Sequence, residues 1–196
     1  MASIVEARKP FNFAHALTSV RLVLLPIFLC AIDDSAQQPN VWRVGFVILL
    51  FLIICASDYY DGALARALGL SSDCGKVFDN LADITFLLAT LSYLVQGGIV
   101  PWWIPTAIAL AFGQYTLDSW LLSGRGTAVT LVSNPIGHWA GILNYIFTGV
   151  CSLYTALQRQ FPPALLYNAM LAFWLAYLLL AIGMRLRFFL SAYKTR

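Results

Sequence analysis

Acidic residues are scarce in this chain, and most of them fall in one short stretch. Of the nine acidic residues, five lie between positions 58 and 83. Asp58 and Asp61 are three residues apart in that stretch. Asp79 and Asp83, further along, are four residues apart. Because residues three or four apart share one face of a helix, the spacing predicts two pairs of carboxylates, each on one face of its own helix.

The sequence around these acids is strongly apolar. The chain has 196 residues, of which 60% are hydrophobic and only 11% charged. Soluble domains carry about 25% charged residues, so a soluble globular protein is nearly excluded. Continuous apolar runs, rather than period-two alternation, indicate helices and not a barrel. We therefore expect an all-α integral membrane protein with one domain over residues 1–196.

Six transmembrane helices in one bundle are predicted. They lie at about residues 14–32, 41–57, 77–96, 100–121, 135–156 and 163–184. With a cytoplasmic N-terminus, ten Lys and Arg residues, Arg21 among them, fall on the cytoplasmic side and only two on the other. Cytoplasmic loops carry an excess of Lys and Arg, so both termini and the acidic stretch are expected in the cytoplasm. The net charge of +3 reflects this topology, and no basic stretch interleaved with aromatic residues suggests nucleic-acid binding.

The two carboxylate pairs are expected to meet. A short reversal at residues 70–74 would make the second and third helices antiparallel neighbours, with four carboxylates near the cytoplasmic interface. Four negative charges at such short distances from one another must be neutralised by protonation or by cations. Since all the ligands are oxygen atoms, Mg²⁺ or Mn²⁺ is favoured over zinc. Four carboxylates suit two such ions, an arrangement used in phosphoryl-group displacement.

Small residues and one arginine alternate with the acids. Gly62, Ala65 and Gly75 would let a flat or phosphate-bearing ligand approach the helix backbone. Arg66 lies eight residues beyond Asp58, on nearly the same face, where it can bind a phosphate oxygen. The alternative is structural: small residues also permit close helix packing in membranes, and an arginine at a span end also anchors it.

The spacing of these residues forms a motif. Written out, it reads Asp58-x2-Asp61-Gly62-x2-Ala65-Arg66-x8-Gly75-x3-Asp79-x3-Asp83. This pattern resembles the signature of the CDP-alcohol phosphotransferase family at all eight positions. In the first span, Ala16-Leu17-Thr18-x2-Arg21 with Pro26 also resembles the N-terminal pattern of that family.

The resemblance implies a reaction and a set of roles. A CDP-linked lipid, most often CDP-diacylglycerol, would donate its phosphatidyl group to an alcohol, and CMP would leave. The four aspartates of the motif would hold two divalent ions, and Asp83 would act as general base. Gly62, Ala65 and Gly75 would make room for the cytidine nucleotide, and Arg66 would contact its diphosphate. The resemblance also implies a homodimer.

Recognition of the acceptor alcohol depends on residues outside the motif. Arg125, Arg185 and Arg187 lie at the cytoplasmic ends of the fourth and sixth spans, where they form either an anion pocket or cytoplasmic anchors. His138 stands where many phosphate-acceptor members have a lysine, and it can supply a hydrogen bond or a pH-dependent charge. Tyr145 is interpreted as an interhelical hydrogen-bonding residue. Glycerol 3-phosphate is favoured as acceptor, with inositol phosphate, serine, choline and phosphatidylglycerol as alternatives.

Two other functions fit aspartates in a membrane less well. An intramembrane prenyltransferase would have two separate aspartate-rich loops and a longer chain. A cation carrier or channel would distribute its acids through several spans, whereas here the far half of the membrane is almost free of them. We therefore predict a phosphatidyltransferase of phospholipid synthesis in a bacterial plasma membrane, with its active site open to the cytoplasm.

Overall fold

The structure, a computed structural model, is predominantly helical in the residues that it describes. It describes residues 13–67, 73–123 and 135–158, together with individual helical positions between 168 and 190. Five helices are defined: α1 (Phe13–Gln37), α2 (Val41–Ala67), α3 (Asp73–Gln96), α4 (Trp103–Ser123) and α5 (Pro135–Ala156). Within these ranges there is no strand, which confirms the predicted all-helical class.

The helices begin and end near the predicted span boundaries, with two informative differences. α1 continues to Gln37, beyond the predicted end of the first span at about 32. α2 continues to Ala67, well past the predicted end of the span at 57, so the first half of the motif is helical, as the spacing of Asp58 and Asp61 predicted. The sixth predicted span lies largely outside the described residues, and the six-span count stays a prediction.

Contacts between helices explain why α1 does not stop at its polar residues. The Ser35 hydroxyl is buried and donates a hydrogen bond to the backbone oxygen of Ala156, at 3.0 Å. The Gln158 side-chain amide donates to the backbone oxygen of Ala36, at 3.1 Å. These bonds join the last turn of α1 to the C-terminal end of α5. From this contact, both helices extend in the same direction toward the acidic residues.

Two helices of the described chain are long and apolar enough to cross a membrane, Val41–Tyr60 and Val77–Gln96. The first of them exposes large apolar side chains along its length, among them Trp42, Phe46 and Leu49. A continuous apolar surface of this kind is unfavourable in water and is well solvated by lipid. These two helices are consistent with the predicted membrane protein.

α1 is the helix that connects the others. It packs against α2, α3 and α5, and α3 packs in addition against α4 and α5. In the described part of the chain, no Cα atom of α2 lies within 8 Å of a Cα atom of α3. α2 and α3 nevertheless meet through their side chains: Val47, Leu50 and Ile54 of α2 share a buried cluster with Phe86 and Leu87 of α3. A helix that contacts both of them, α1, carries the cation that attracts their carboxylates.

Buried apolar side chains form two clusters, and α3 contributes to both. One cluster joins α1, α2 and α3 through Phe28, whose ring lies 5.9 Å from that of Phe51 and 5.8 Å from that of Phe86. The other joins α3, α4 and α5 and includes Leu91 and Leu94. Because apolar packing of this kind holds each helix at a fixed rotation, the polar face of α3 is held toward α1 and α5.

The end of α3 has the backbone pattern that its two glycines predict. Gly98 has a positive φ of 68°, a conformation that glycine adopts without steric cost. Its N–H donates to the Val95 oxygen, and the Ile99 N–H donates to the Leu94 oxygen, each at 2.9 Å. This pair of bonds is a Schellman motif, which ends the helix and turns the buried Ile99 back onto the core.

Substitution of Gly149 tests the packing of α5 against α2. A Cβ atom there would lie 2.6 Å from two atoms of the Phe51 ring, which is itself packed against Phe28. We expect Gly149→Ala to lower the free energy of unfolding by about 1–3 kcal/mol, the usual cost of overpacking. The measurement is SDS-induced unfolding of protein purified in mild detergent.

The matched control is Gly141→Ala on the same helix. None of the described atoms lies within 4 Å of a Cβ at that position. The control should be neutral, or stabilising by up to about 1 kcal/mol through helix propensity. Equal behaviour of the two variants would contradict the close α2–α5 contact.

Candidate metal centre

Three carboxylates from two helices converge at one point. Asp58 comes from α2, and Asp79 and Asp83 come from consecutive turns of α3. One oxygen atom from each lies within 4.8 Å of the others. The side chains are 37%, 35% and 24% exposed, respectively, so that a solute can reach them. The sequence predicted that these three carboxylates would meet together with that of Asp61, whose side chain lies outside the described part of the structure.

An arginine from α1 lies among the three carboxylates. Arg21 is fully buried, and its Nη2 donates to Oδ1 of Asp58 at 2.8 Å. Its Nη1 donates to Oδ1 of Asp83 and lies 3.5 Å from Oδ1 of Asp79. One guanidinium group therefore contacts carboxylates on two other helices, and the centre is built from three helices rather than two.

The contacts of Arg21 were not predicted from the sequence, although a signal for them was present. The residue was counted among the cytoplasmic positive charges and as part of the N-terminal pattern. A charged side chain within an apolar span is costly, and it normally pairs with a group of opposite charge inside the bundle. The aspartates of the motif satisfy this requirement. Which of them pair with Arg21 depends on the tertiary arrangement of the helices.

Tyr145 closes the centre from α5. Its hydroxyl donates to Oδ1 of Asp83 at 2.8 Å. Its ring stacks on that of Phe86, with centroids 5.7 Å apart and planes inclined by 13°. The interpretation of Tyr145 as an interhelical hydrogen-bonding residue is confirmed, and its partner is a carboxylate of the centre.

The charges of these groups favour a bound cation. Two like unit charges about 4 Å apart repel by about 4 kcal/mol at an effective dielectric constant of about 20. Three carboxylates and one guanidinium leave two formal negative charges, which one divalent cation would neutralise. All the available ligand atoms are carboxylate oxygens, the donors that Mg²⁺ and Mn²⁺ prefer. The residues present therefore fit a divalent metal ion of this class.

The other predicted residues of the motif lie near this point in the fold. Asp61, Gly62, Ala65 and Arg66 follow Asp58 on the last turns of α2, and their side chains lie outside the described part of the structure. Gly75 is on the first turn of α3, one turn before Asp79.

The predicted acceptor-binding residues are placed only in part. Arg125 and Arg185 lie outside the described residues, as does the side chain of His138 on the first turn of α5. Arg187 is exposed. An anion pocket formed by these four residues stays a prediction.

Comparison with known proteins agrees with the motif and the cluster. Residues 11–184 match the family model described as CDP-alcohol phosphatidyltransferase. The chain belongs to this family. The resemblance inferred from the spacing of the eight motif residues is thereby confirmed.

Relatives within the family come from several bacteria. The chain is 30% identical over 148 residues to the CDP-diacylglycerol--glycerol-3-phosphate 3-phosphatidyltransferase of Bacillus subtilis, covering 68% of this chain and 74% of that protein. It is 35% identical over 97 residues to a probable phosphatidylglycerophosphate synthase of Mycobacterium tuberculosis, covering 50% and 46%. It is 31% identical over 110 residues to the cardiolipin synthase (CMP-forming) of Streptomyces coelicolor, covering 55% and 49%. The match thus spans about half the length of the mycobacterial and streptomycete relatives.

Removal of the Tyr145 hydroxyl tests the contribution of α5 to the centre. We expect Tyr145→Phe to lower the free energy of unfolding by about 1–3 kcal/mol, because hydrogen bonds to charged groups contribute more than neutral ones. Tyr93→Phe is the matched control, since Tyr93 donates a similar bond of 3.0 Å to the exposed Asp33 at the far end of α1. That variant should lose no more than about 1 kcal/mol. The measurement is SDS-induced unfolding of both variants. Equal losses of the free energy of unfolding would contradict a special role for the bond to Asp83.

Proposed function

We propose that the protein is a membrane phosphatidyltransferase of phospholipid synthesis. It transfers the phosphatidyl group of CDP-diacylglycerol to glycerol 3-phosphate and releases CMP. The observation that carries this proposal is the convergence of Asp58, Asp79 and Asp83 in a chain with the complete family motif. The names of the Bacillus subtilis and Mycobacterium tuberculosis relatives support glycerol 3-phosphate as the acceptor.

The metal centre provides the electrostatic part of this function. Asp58, Asp79 and Asp83 would hold divalent ions, with Asp61 as the fourth ligand from the motif. Two ions, Mg²⁺ or Mn²⁺, would offset the negative charge of the diphosphate and of the departing CMP. The carboxylates hold this position because Arg21 and Tyr145 bind them from neighbouring helices.

Asp83 is the proposed general base. Both hydrogen bonds that the described residues make to this carboxylate end on Oδ1, one from Arg21 and one from Tyr145. Its Oδ2 can then take the proton of the acceptor hydroxyl. The acceptor oxygen forms its bond to the phosphorus of the phosphatidyl group as the bond from that phosphorus to CMP breaks. The partial exposure of Asp83 allows the acceptor to approach.

Substrate recognition is assigned to residues around the centre. Gly62, Ala65 and Gly75 leave space for the cytidine nucleotide, and Arg66 contacts the diphosphate, as the family motif implies. A separate group binds the phosphate of the acceptor: Arg125, Arg185, Arg187 and His138. Arginine suits this task because its planar fork matches phosphate oxygens.

The proposed topology places the reaction at the cytoplasmic surface. A single domain of six transmembrane helices, with both termini in the cytoplasm, brings the acidic ends of α2 and α3 to that side. There the lipid donor keeps its acyl chains in the bilayer while its headgroup meets a water-soluble acceptor. The bacterial relatives support a bacterial plasma membrane as the location, and the family resemblance supports a homodimer.

Phosphatidylglycerol is a second candidate acceptor. Relatives named cardiolipin synthase from Streptomyces coelicolor and Mycobacterium tuberculosis are 31% and 30% identical over about half of this chain. The donor and the metal centre would be the same in both reactions. The difference would lie in the acceptor-binding residues, because phosphatidylglycerol presents a phosphodiester and acyl chains where glycerol 3-phosphate presents a phosphate monoester.

A panel of acceptors tests the proposed function. Purified protein in lipid vesicles receives CDP-diacylglycerol and one labelled acceptor: glycerol 3-phosphate, inositol phosphate, serine, choline or phosphatidylglycerol. We expect label from glycerol 3-phosphate to enter a lipid, with one CMP released per lipid formed. Excess EDTA should stop the reaction, and Mg²⁺ or Mn²⁺ should restore it. Absence of lipid product with every acceptor would contradict the function, and full activity in EDTA would contradict the metal centre.

Substitution of Asp83 tests the general base. Asp83→Asn keeps an oxygen for the Arg21 and Tyr145 bonds but removes the basic carboxylate. We expect kcat for CMP release to fall by at least about a hundredfold, the usual contribution of a general base. Asp33→Asn is the matched control, because this exposed aspartate also accepts a tyrosine hydroxyl bond but lies at the other end of α1. Turnover of Asp83→Asn near that of the control would remove Asp83 from this role.

A further inference from the structure

The guanidinium of Arg21 occupies the position at which a metal ion would gather its ligands. Its two Nη atoms contact Oδ1 of Asp58 and Oδ1 of Asp83, and Nη1 also approaches Oδ1 of Asp79. One oxygen from each of the same three residues forms the candidate metal centre. An arginine side chain and a divalent ion would therefore use the same carboxylates.

Arg21 is not held in place by an alternative set of partners. Among the described residues it is the one charged side chain that is fully buried. Its ion pairs in this part of the chain all run to the three aspartates. Its third guanidinium nitrogen, Nε, is buried and has no hydrogen-bond partner among the described residues. The described polar contacts of the guanidinium are therefore those with the carboxylates, so an ion that binds the same oxygens competes with it directly.

Two cations that share ligands oppose each other. A divalent ion at the three carboxylates repels a guanidinium that lies within hydrogen-bond distance of the same oxygens. It also takes lone pairs that now accept from Arg21. By linkage, an ion that displaces Arg21 must offset the free energy of the contacts between Arg21 and the carboxylates, in part or in full. The binding free energy of the ion is smaller by that amount. Arg21 thus stabilises the fold and weakens ion binding at the same time.

We infer that Arg21 is a built-in counter-cation that competes with divalent ions for Asp58, Asp79 and Asp83 and so sets the ion affinity of the centre. The inference rests on the metal centre of the proposed function and adds a positioning residue to it. It predicts two effects of opposite sign when the charge of Arg21 is removed. The protein loses stability in the absence of divalent ions, and it binds those ions more tightly. A residue that only supports the fold would produce the first effect without the second.

The test measures Mn²⁺ binding by electron paramagnetic resonance, on purified protein in detergent without any substrate. Arg21→Gln keeps hydrogen-bonding capacity but removes the charge, and we expect Mn²⁺ to bind about tenfold more tightly or better, since a unit charge a few ångströms away is worth at least this much. Its thermal unfolding midpoint should fall below that of the wild type in EDTA. Added Mn²⁺ should raise the midpoint by more than it does in the wild type.

Arg21→Lys provides a second variant, which keeps a positive charge beside the three carboxylates and therefore preserves more of the stability. The ammonium keeps the charge but contacts the carboxylates from a single point, so its Mn²⁺ affinity should lie between those of the wild type and Arg21→Gln. Arg43→Gln is the matched control. It breaks an ion pair with Asp34 of 3.1 Å at the opposite end of the bundle and should leave Mn²⁺ affinity unchanged.

The outcomes separate this inference from the function on which it rests. Wild-type protein that binds no Mn²⁺ would overturn the metal centre and the inference together. Normal binding by the wild type, with unchanged or weaker binding by Arg21→Gln, would overturn the inference alone. If Arg21→Gln does not fold, Arg21→Lys decides: binding tighter than the wild type supports the competition, and equal or weaker binding refutes it.

Discussion

Three carboxylates within 4.8 Å of one another would repel strongly in a bundle that exposes mostly apolar side chains, and the guanidinium of Arg21 makes this arrangement possible. Its two Nη atoms bind acids from two different helices. This is a stronger requirement than ordinary packing, because apolar contacts tolerate some sliding, whereas a buried charge must keep its partners. The relative placement of α1, α2 and α3 at this end of the bundle follows from that requirement.

The remaining helices hold this arrangement from the outside. α5 is joined to α1 at the far end through Ser35 and Ala156, contacts α2 closely at Gly149, and reaches Asp83 through Tyr145. Two apolar clusters pack α3 against its neighbouring helices. The centre is therefore a set of carboxylate oxygen atoms with one buried counter-charge among them, an arrangement that suits the binding of divalent ions and a diphosphate.

The far end of the bundle contains polar groups of a different character. Asp33 accepts bonds from Tyr93 and Gln37, and Asp34 pairs with Arg43, but both carboxylates are exposed and Arg43 is only half-buried. Exposed pairs of this kind contribute little to stability and hold no buried charge. The contrast supports the proposed location of the chemistry at the end where α2 finishes and α3 begins, the same end at which the family motif is concentrated.

The sequence by itself determined the acidic cluster and the family, because both depend on local spacing. Helical periodicity places residues three or four apart on one face, so the pairing of Asp79 with Asp83 could be predicted without the fold. The contacts of Arg21 with Asp58 and of Tyr145 with Asp83 join residues that are 37 and 62 positions apart in the chain. No local pattern encodes such contacts. The position of α1 against both acidic helices, and the choice of Arg21 as their common partner, were decided by tertiary packing, since only the folded bundle fixes which helix faces meet.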